Sequence, residues 1–219
     1  MIKAHNIYDY LVIGSGIVGA SVAYHLKIFY PKAKVLLLDK EKKPFMHQTS
    51  HNSGVVHSGV YYKKNSLKSK FCIEGARQTY DFAKKNNIKF NKCGKLIAAR
   101  NSDELINLHR LFSLNNDSNL NLELITKKEL KNFEPNLLAK EAIFSPMTGI
   151  IDWSEFSQCL LELYCLMEGE VRYNFNVQSI EENDSNVTIE DISNNKISGK
   201  KLISCSCLQS DRLCGFLDI

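Results

Sequence analysis

The sequence lacks paired cysteines of the CxxC type. It contains seven cysteines, an odd number that argues against a disulfide framework. The absence of CxxC pairs also argues against a structural zinc site. Unpaired thiols are typical of the reducing cytosol, so the sequence predicts a cytoplasmic location.

Long uninterrupted apolar runs are also missing. The longest, residues 11–26, is broken by three glycines and two serines and is too short and too polar for a membrane span. Residues 1–10 have no apolar core of the kind that a signal peptide needs. The sequence therefore predicts neither segment, and it leaves open a peripheral contact with the inner face of a membrane.

Blocks of a single charge sign are absent as well. The 28 basic and 24 acidic residues give a net charge of +4, and the basic residues form only short runs such as Lys40, Lys42 and Lys43. A solvated surface explains this distribution better than a nucleic-acid footprint does. We therefore predict no nucleic-acid partner.

What the sequence does contain is an alternation of strand-like and helix-like segments. Residues 8–13 and 35–38 are short apolar runs, and between them Val18, Val22 and Leu26 repeat with helical spacing up to Pro31. The patterns further predict helices at 67–86, 103–114, 127–133 and 153–167. They predict strands at 90–99, 141–144, 171–173, 177–181, 187–191 and 201–205. The 67–86 helix is expected to have Phe71, Ala76, Tyr80 and Ala83 on one face.

A glycine-rich turn joins the first strand to the first helix. Gly14, Gly16 and Gly19 follow the GxGxxG spacing, and Asp39 ends the second strand 20 residues after Gly19. In such a unit the first glycine permits the turn, the second lets a pyrophosphate approach the backbone, and the third lets the helix pack closely. The positive end of the helix faces the phosphates, and the acid accepts from a ribose hydroxyl. The motif predicts a dinucleotide site for NAD or FAD, and the lack of a Lys-Ser/Thr pair after Gly19 excludes a Walker A loop.

A polar loop follows the second strand, where a simple NAD-binding domain would continue into a helix and a third strand. Residues 47–62 read HQTSHNSGVVHSGVYY. The loop leaves the carboxyl edge of the strand, where ligands bind in such sheets. Its hydroxyls and amides can bond phosphates, a ribityl chain or a ring edge, so the loop favours FAD over NAD.

Three histidines of this loop, His47, His51 and His57, raise the alternative of a metal site. The sequence has no HExxH motif, and the glycines and hydroxyls around these histidines argue against a helix that would align them. We therefore predict no metal.

The 47–62 loop resembles that of L-2-hydroxyglutarate oxidases and dehydrogenases, a branch of the D-amino-acid-oxidase-like FAD superfamily. The similarity extends through residues 66–72, 92–97, 146–153 and 205–212 and so covers nearly the whole chain. The resemblance implies an α/β fold: a FAD-binding Rossmann-like three-layer domain with a β-meander near 171–199, plus part of an inserted α+β substrate domain. It implies that residues 6–88 and 146–219 form the FAD-binding domain and residues 89–145 the partial substrate domain.

The resemblance also implies FAD as the cofactor and assigns its contacts. The ADP half is expected at the glycine turn and at the end of the second strand, and the 49–54 loop is expected to reach toward the flavin. The expected cofactor-binding residues are Gly14, Ser15, Gly16, Ile17, Val18, Gly19, Asp39, Lys40, His47, Gln48, Thr49, Ser50, Asn52, Ser53, Gly54, Val55, Val177, Cys205 and Ser206.

The reaction implied by the resemblance moves a hydride from C2 of a small 2-hydroxy acid, L-2-hydroxyglutarate, to the flavin and yields 2-oxoglutarate. His57 is the candidate catalytic base, because imidazoles titrate near neutral pH and His57 lies in the flavin-side loop. The alternative is that His57 only hydrogen-bonds backbone or flavin. The implied electron acceptor is a quinone or an electron-transfer flavoprotein, with oxygen as a slow substitute.

Two residues depart from the family pattern. Cys207 stands where a glycine is expected, in the segment that closes over the pyrophosphate, and a side chain there can block close approach. Met147 stands where a histidine is expected, with a smaller expected consequence.

Two other function classes stay open: a superfamily member that acts on an amine, an amino acid or glycerol phosphate, and a non-catalytic fragment. The family carries roughly a second half beyond this point, so we expect this chain alone to be a poor catalyst. No residue up to Ile219 is a convincing carboxylate-binding group, and Arg77 is interpreted as a surface residue. Tyr61 and Tyr62 either line a substrate pocket or belong to a strand core.

Overall fold

The structure, a computed structural model, describes residues 7–115 and 120–217. The chain forms two compact units, the first made of Met1–Asn52 with Trp153–Ile219 and the second of Ser53–Asp152. The second unit is wider than the predicted insertion of residues 89–145. The sequence analysis assigns residues 53–88 to the FAD-binding domain, and this division into functional domains stays a prediction.

The described residues form twelve strands and six α-helices in chain order. The strands are Tyr8–Ile13 (β1), Val35–Leu38 (β2), Val55–Val56 (β3), Phe90–Asn91 (β4), Lys95–Ala99 (β5), Glu123–Thr126 (β6), Glu141–Ser145 (β7), Gly149–Ile151 (β8), Glu170–Arg172 (β9), Val177–Glu182 (β10), Val187–Asp191 (β11) and Lys196–Ser204 (β12). The helices are Ile17–Phe29 (α1), Leu67–Lys85 (α2), Ser102–Leu114 (α3), Lys127–Phe133 (α4), Trp153–Leu166 (α5) and Ser210–Gly215 (α6). No helix within 7–115 and 120–217 has the length and apolarity needed to cross a membrane.

A mixed sheet forms the centre of the first unit. Its strand order is β10-β11-β12-β1-β2-β9, in which β12, β1, β2 and β9 are parallel neighbours. The long strand β12 joins two patterns: its first residues pair antiparallel with β11, and residues 199–204 pair parallel with β1. The sheet therefore combines a Rossmann-like parallel core with an antiparallel meander.

The alternation of side chains along β1 and β2 explains the layers of the first unit. Leu11, Leu36 and Leu38 pack on one face against residues of the meander, and all three are fully buried or nearly so. Leu37 points to the other face, where helix α1 approaches. Strands covered on both faces read as continuous apolar runs, which is how β2 reads in the sequence.

The second unit contains two antiparallel sheets, β3-β8-β4 and β5-β7-β6, within its described residues. Strand β7 is central in its sheet and is buried on both faces. Ala142 packs among Ile125 and Leu130 near α4, and Ile143 packs against Leu108 of α3. A capping box of Thr126 and Glu129 starts α4.

Three secondary-structure predictions were wrong in detail. Residues 90–99 form two strands in different sheets rather than one, because the backbone turns at Gly94, which has a φ of +73°. A side chain at this position would overlap the Phe144 ring. Phe71 is 72% exposed, and Ser69 takes the buried position on α2 instead. The strand predicted at 171–173 pairs parallel with β2 and is not part of the meander.

Candidate functional site

A cavity of about 840 Å³ lies at the carboxyl ends of the parallel strands in the first unit. Gly14 follows β1, Asp39 follows β2 and Cys205 follows β12, and all three line it. Ligands of parallel α/β sheets bind at this edge. The other lining residues are Ile13, Gly16, Ile17, Val18, Lys40, Phe45, Met46, His47, Gln48, Thr49, Asn52, Trp153, Phe175, Asn176, Val177, Gln178, Ser206, Cys207, Leu208, Gln209, Arg212, Leu213 and Phe216.

Two glycines of the turn are required by the protein itself. Gly14 has a φ of +101°, and a Cβ atom there would lie 2.5 Å from the Cys205 carbonyl oxygen. A Cβ atom at Gly19 would overlap the Gly14 carbonyl oxygen. The turn, α1 and the end of β12 therefore pack at backbone distance, as the spacing of the motif predicts.

Gly16 differs from these two glycines. It has an extended conformation, with a φ of −67° and a ψ of 178° that any residue can adopt. A Cβ atom at Gly16 would meet only the Thr49 hydroxyl, at 3.3 Å. The packing of the protein does not demand a glycine at this cavity-lining position, and the missing side chain leaves the backbone accessible to a ligand.

The start of helix α1 suits an anionic ligand. Its N-cap, Gly16, provides no side-chain cap, and the first turn has no acidic residue. The Thr49 hydroxyl accepts from the Ile17 amide at 3.0 Å. Gly16, Ile17 and Val18 line the cavity, so the positive end of the helix dipole is directed at it. This arrangement fits a diphosphate group.

Asp39 is held in place by the buried residue Ser15. One Asp39 carboxylate oxygen accepts from the Ser15 amide at 2.7 Å and from the Ser15 hydroxyl at 2.6 Å, and the other accepts from the Glu41 amide at 2.9 Å. A carboxylate has about four acceptor positions, so one stays available for a ribose hydroxyl. Ser15 is 0% exposed and does not line the cavity, so its side chain positions Asp39 from the side away from the cavity.

The segment from Lys40 to Asn52 forms a second wall of the cavity. Residues Gln48–Ser50 form a 3₁₀ turn, and the side-chain amide of Asn52 donates to the Thr49 carbonyl at 2.7 Å. The His47 ring lies 2.9 Å from the Glu41 carboxylate, and this hydrogen bond lowers the pKa of Glu41. Ser50, predicted as a cofactor contact, instead donates to the Phe45 carbonyl at 2.6 Å and is absent from the lining of the cavity.

A third wall was largely missed from the sequence. Val177, Cys205 and Ser206 were predicted, but Phe175, Arg212 and Phe216 also line the cavity. Arg212 and Phe216 follow β12, which pairs with β1, and Phe175 follows β9, which pairs with β2. In both cases the neighbouring strand is adjacent in space but not in sequence. The signal available was positional, since residues that directly follow a parallel strand lie at the ligand edge of the sheet.

Four predicted site residues lie in the second unit: Ser53, Gly54, Val55 and His57. Gly54 has a φ of +71°, and its carbonyl accepts from the Ile151 amide at 2.9 Å. His57 is exposed, and its ring has no hydrogen-bond partner in the described part of the chain. Their roles toward the cofactor stay predictions.

The loop that carries His57 is anchored on both sides. The Cys72 thiol donates to the His57 carbonyl at 3.3 Å. The next residue, Ser58, belongs to a buried triangle of hydroxyls in which its Oγ lies 2.9 Å from Ser145 and 3.1 Å from Thr148. These bonds hold the backbone of the loop at His57 and Ser58.

Metal ligands do not cluster in the parts of the chain that the structure describes. Across residues 7–115 and 120–217, no group of three or more His, Cys, Asp or Glu side chains could hold an ion.

Comparison with known proteins adds a family to this geometry. Residues 9–217 match the family described as DAO, FAD dependent oxidoreductase. The chain belongs to this family. The match confirms the predicted resemblance, the fold class and FAD as the cofactor of the family, and the residues around the cavity fit a dinucleotide of this kind.

Individual relatives carry more specific names. The chain is 36% identical over 213 residues to L-2-hydroxyglutarate dehydrogenase of Escherichia coli K12. The aligned region covers 97% of this chain and 50% of the relative. It is 34% identical over 218 residues to the human mitochondrial L-2-hydroxyglutarate dehydrogenase, covering 94% and 47% of the two chains. The chain thus spans about half the length of the curated relatives it matches.

Solved structures show the same fold at low sequence identity. Glycine oxidase from Geobacillus kaustophilus superposes with a TM-score of 0.86 at 16% identity, over 99% of this chain and 59% of that one. L-alpha-glycerophosphate oxidase from Mycoplasma pneumoniae, solved with FAD bound, has a TM-score of 0.86 at 23% identity. The match covers 96% of this chain and 57% of the oxidase.

Cys207 has the backbone conformation that explains the expected glycine. Its φ is +54°, in the left-handed region that non-glycine residues rarely adopt, and it lines the cavity. We expect Cys207→Gly to raise FAD affinity by about fivefold, or about 1 kcal/mol, because removal of the side chain relieves crowding at the cavity. Relief of strain at the positive φ is a gain for the folded protein with or without FAD. The melting temperature of the FAD-free protein should change little, because the added backbone entropy of glycine offsets the gain.

A titration of FAD-free protein with FAD, followed by fluorescence, measures this effect. Cys207→Ala is the matched control, since it removes the thiol but keeps a side chain in the left-handed conformation. Equal affinities of Cys207→Gly and wild type would show that Cys207 does not hinder the cofactor.

Proposed function

We propose that the protein is an FAD-dependent dehydrogenase that oxidises L-2-hydroxyglutarate to 2-oxoglutarate. The observation that carries the proposal is the 36% identity with the Escherichia coli dehydrogenase over 97% of this chain. The cavity supports it, because the glycine turn, the acid-free first turn of α1 and the acid after β2 suit a dinucleotide. The solved structures under 25% identity support the fold alone.

The first unit would hold the ADP half of FAD. Backbone amides at the start of α1 would bind the diphosphate, and Asp39, oriented by Ser15, would accept from the ribose. Lys40 and Arg212 also line the cavity, and their positive charges would favour the binding of a diphosphate. Bound FAD supplies the hydride acceptor of the reaction.

His57 would act on the substrate hydroxyl. As the C2–H bond breaks and its electron pair leaves as hydride, the O–H proton moves to a ring nitrogen of His57 and the C2–O bond becomes a carbonyl. An exposed imidazole on an anchored loop can accept that proton and release it to solvent.

The electron acceptor is proposed to be a quinone or an electron-transfer flavoprotein, with oxygen reacting slowly. We place the protein in the cytoplasm, with a peripheral contact to the inner face of a membrane as its access to a quinone. The rates at which a short-chain quinone, an electron-transfer flavoprotein and oxygen reoxidise the reduced protein decide among these acceptors.

Product analysis tests the proposed substrate. The purified, FAD-loaded protein, supplied with a dye as electron acceptor, should form 2-oxoglutarate from L-2-hydroxyglutarate. Its kcat/KM should be far lower for D-2-hydroxyglutarate, glycine, proline and glycerol phosphate. A higher kcat/KM for an amino acid or for glycerol phosphate would replace the proposed substrate with that compound.

A further inference from the structure

Lys95 in the second unit is a cation without an acidic partner. It begins β5 and is half-buried, and its ammonium lies 4.5 Å from the centre of the Tyr61 ring. Within residues 7–115 and 120–217 it makes no ion pair with an acid. Arg77 is different, because it forms ion pairs with Glu74 at 2.6 Å and Asp81 at 2.9 Å on the surface of α2. This agrees with its interpretation as a surface residue.

Burial makes the unpaired Lys95 costly for the fold. Desolvation lowers the pKa of the Lys95 ammonium, and the neighbouring Cys72 only partly opposes the shift. A charged group that loses water without gaining a counter-ion destabilises the folded state. A bound anion would offset that cost, so the position is unfavourable for stability and favourable for binding a carboxylate.

The surroundings of Lys95 add a second cation. Lys68 lies 4.5 Å from the centre of the Tyr62 ring, and both Lys68 and Lys95 act electrostatically on the Cys72 thiol. That thiol is bonded to the carbonyl of His57. The two lysines therefore flank the loop that carries the proposed base, and neither forms an ion pair with an acid in the described residues.

The same loop is rigid where the lysines meet it. The Tyr62 amide donates to the Gly59 carbonyl at 3.0 Å, and the Asn115 side chain donates to the buried Val60 carbonyl at 3.2 Å. Tyr61, between these bonds, is 59% exposed, so its ring supports the ammonium and is not core. The ammonium of Lys95 thus lies beside a ring on a hydrogen-bonded loop and forms no ion pair with an acid of the described residues, which leaves it available to an anion.

We infer that Lys95, supported by Tyr61 and assisted by Lys68, binds a carboxylate of the dicarboxylate substrate. The inference rests on the proposed function, and it supplies the carboxylate-binding residue that the sequence did not reveal. It also gives a reason for selecting a substrate with two carboxylates, because two cations lie beside the loop of the base.

Glutarate is a suitable probe, since it has both carboxylates but no hydroxyl to oxidise. In calorimetric titrations of the FAD-loaded protein, Lys95→Met should weaken glutarate binding by at least about tenfold, as expected for loss of a charge-assisted hydrogen bond. Lys68→Met should have a smaller effect, and Lys95→Arg should keep most of the affinity. Affinity should fall as pH rises through the lowered pKa of Lys95, because only the ammonium form binds.

The matched control is Lys92→Met. Lys92 also lies over a tyrosine, 4.2 Å from the centre of the Tyr80 ring, but it is exposed. This variant should bind glutarate like wild type. The FAD content should be equal in all variants, and the melting temperature of Lys95→Met without ligand should be unchanged or higher, since the variant removes a desolvated charge.

The outcomes separate this inference from the proposed function. If L-2-hydroxyglutarate reduces the flavin but Lys95→Met binds glutarate as wild type does, Lys95 has no role in recognition and only this inference fails. If wild type binds no glutarate, the inference fails as well. If glutarate binding depends on Lys95 but L-2-hydroxyglutarate does not reduce the flavin, the anion site stands and the proposed reaction is wrong.

Discussion

Gly16→Val is expected to abolish retention of FAD while the protein stays folded. A Cβ atom at Gly16 meets only the Thr49 hydroxyl, at 3.3 Å, so the apo protein can accommodate the substitution with a small shift. The remaining side-chain atoms would occupy the space where a diphosphate approaches the start of α1. We expect FAD affinity to fall by about 100-fold, the size of a steric cost near 3 kcal/mol.

The measurement is the flavin content of the purified variant together with the melting temperature of the apo protein. Gly75→Ala is the control, because a Cβ atom there meets nothing within 4 Å. It should keep FAD and be slightly more stable, as expected for alanine in a helix. Wild-type FAD affinity in Gly16→Val would remove the glycine turn from the cofactor site.

His57→Gln should slow the reduction of bound flavin by about 10²–10⁴-fold, the usual contribution of a positioned general base. Glutamine keeps a polar side chain of similar reach but cannot accept the substrate proton. FAD content should be unchanged, since the backbone of the loop is held by Cys72 and by the hydroxyls of Ser58, Ser145 and Thr148, all of which remain.

Single-turnover reduction under anaerobic conditions separates this step from later reoxidation. His51→Gln serves as the control, because this exposed histidine of the same loop bonds only the backbone carbonyl of His47 through its ring, at 2.8 Å. A normal reduction rate in His57→Gln would eliminate the base role and leave the alternative, a histidine that only makes hydrogen bonds.

Local patterns made the glycine turn predictable. The spacing of Gly14, Gly16 and Gly19 and the position of Asp39 depend on residues that follow one another within a single βαβ unit. The packing at Gly14 and Gly19 bears out two of the mechanical roles that the spacing implies. The hydrogen-bond partners of individual hydroxyls were less predictable. Ser15 and Ser50 lie in segments that contribute to the cavity wall, yet both hydroxyls donate to protein acceptors.

Residues that reach the site through long-range pairing could not be placed from the sequence. Arg212 and Phe216 line the cavity because the sheet brings the end of β12 beside β1, and Phe175 does so because β9 pairs with β2. Lys95 was missed for a different reason. Lysines at the start of strands are common, and only the three-dimensional structure shows that this one is half-buried over Tyr61 without an acid.

Anaerobic addition of L-2-hydroxyglutarate to the purified protein tests the central claim most directly. The protein should carry flavin, and one equivalent of substrate should bleach its visible absorbance with formation of one equivalent of 2-oxoglutarate. A protein that stays colourless after incubation with FAD, or whose flavin stays oxidised with excess L-2-hydroxyglutarate, would contradict the account.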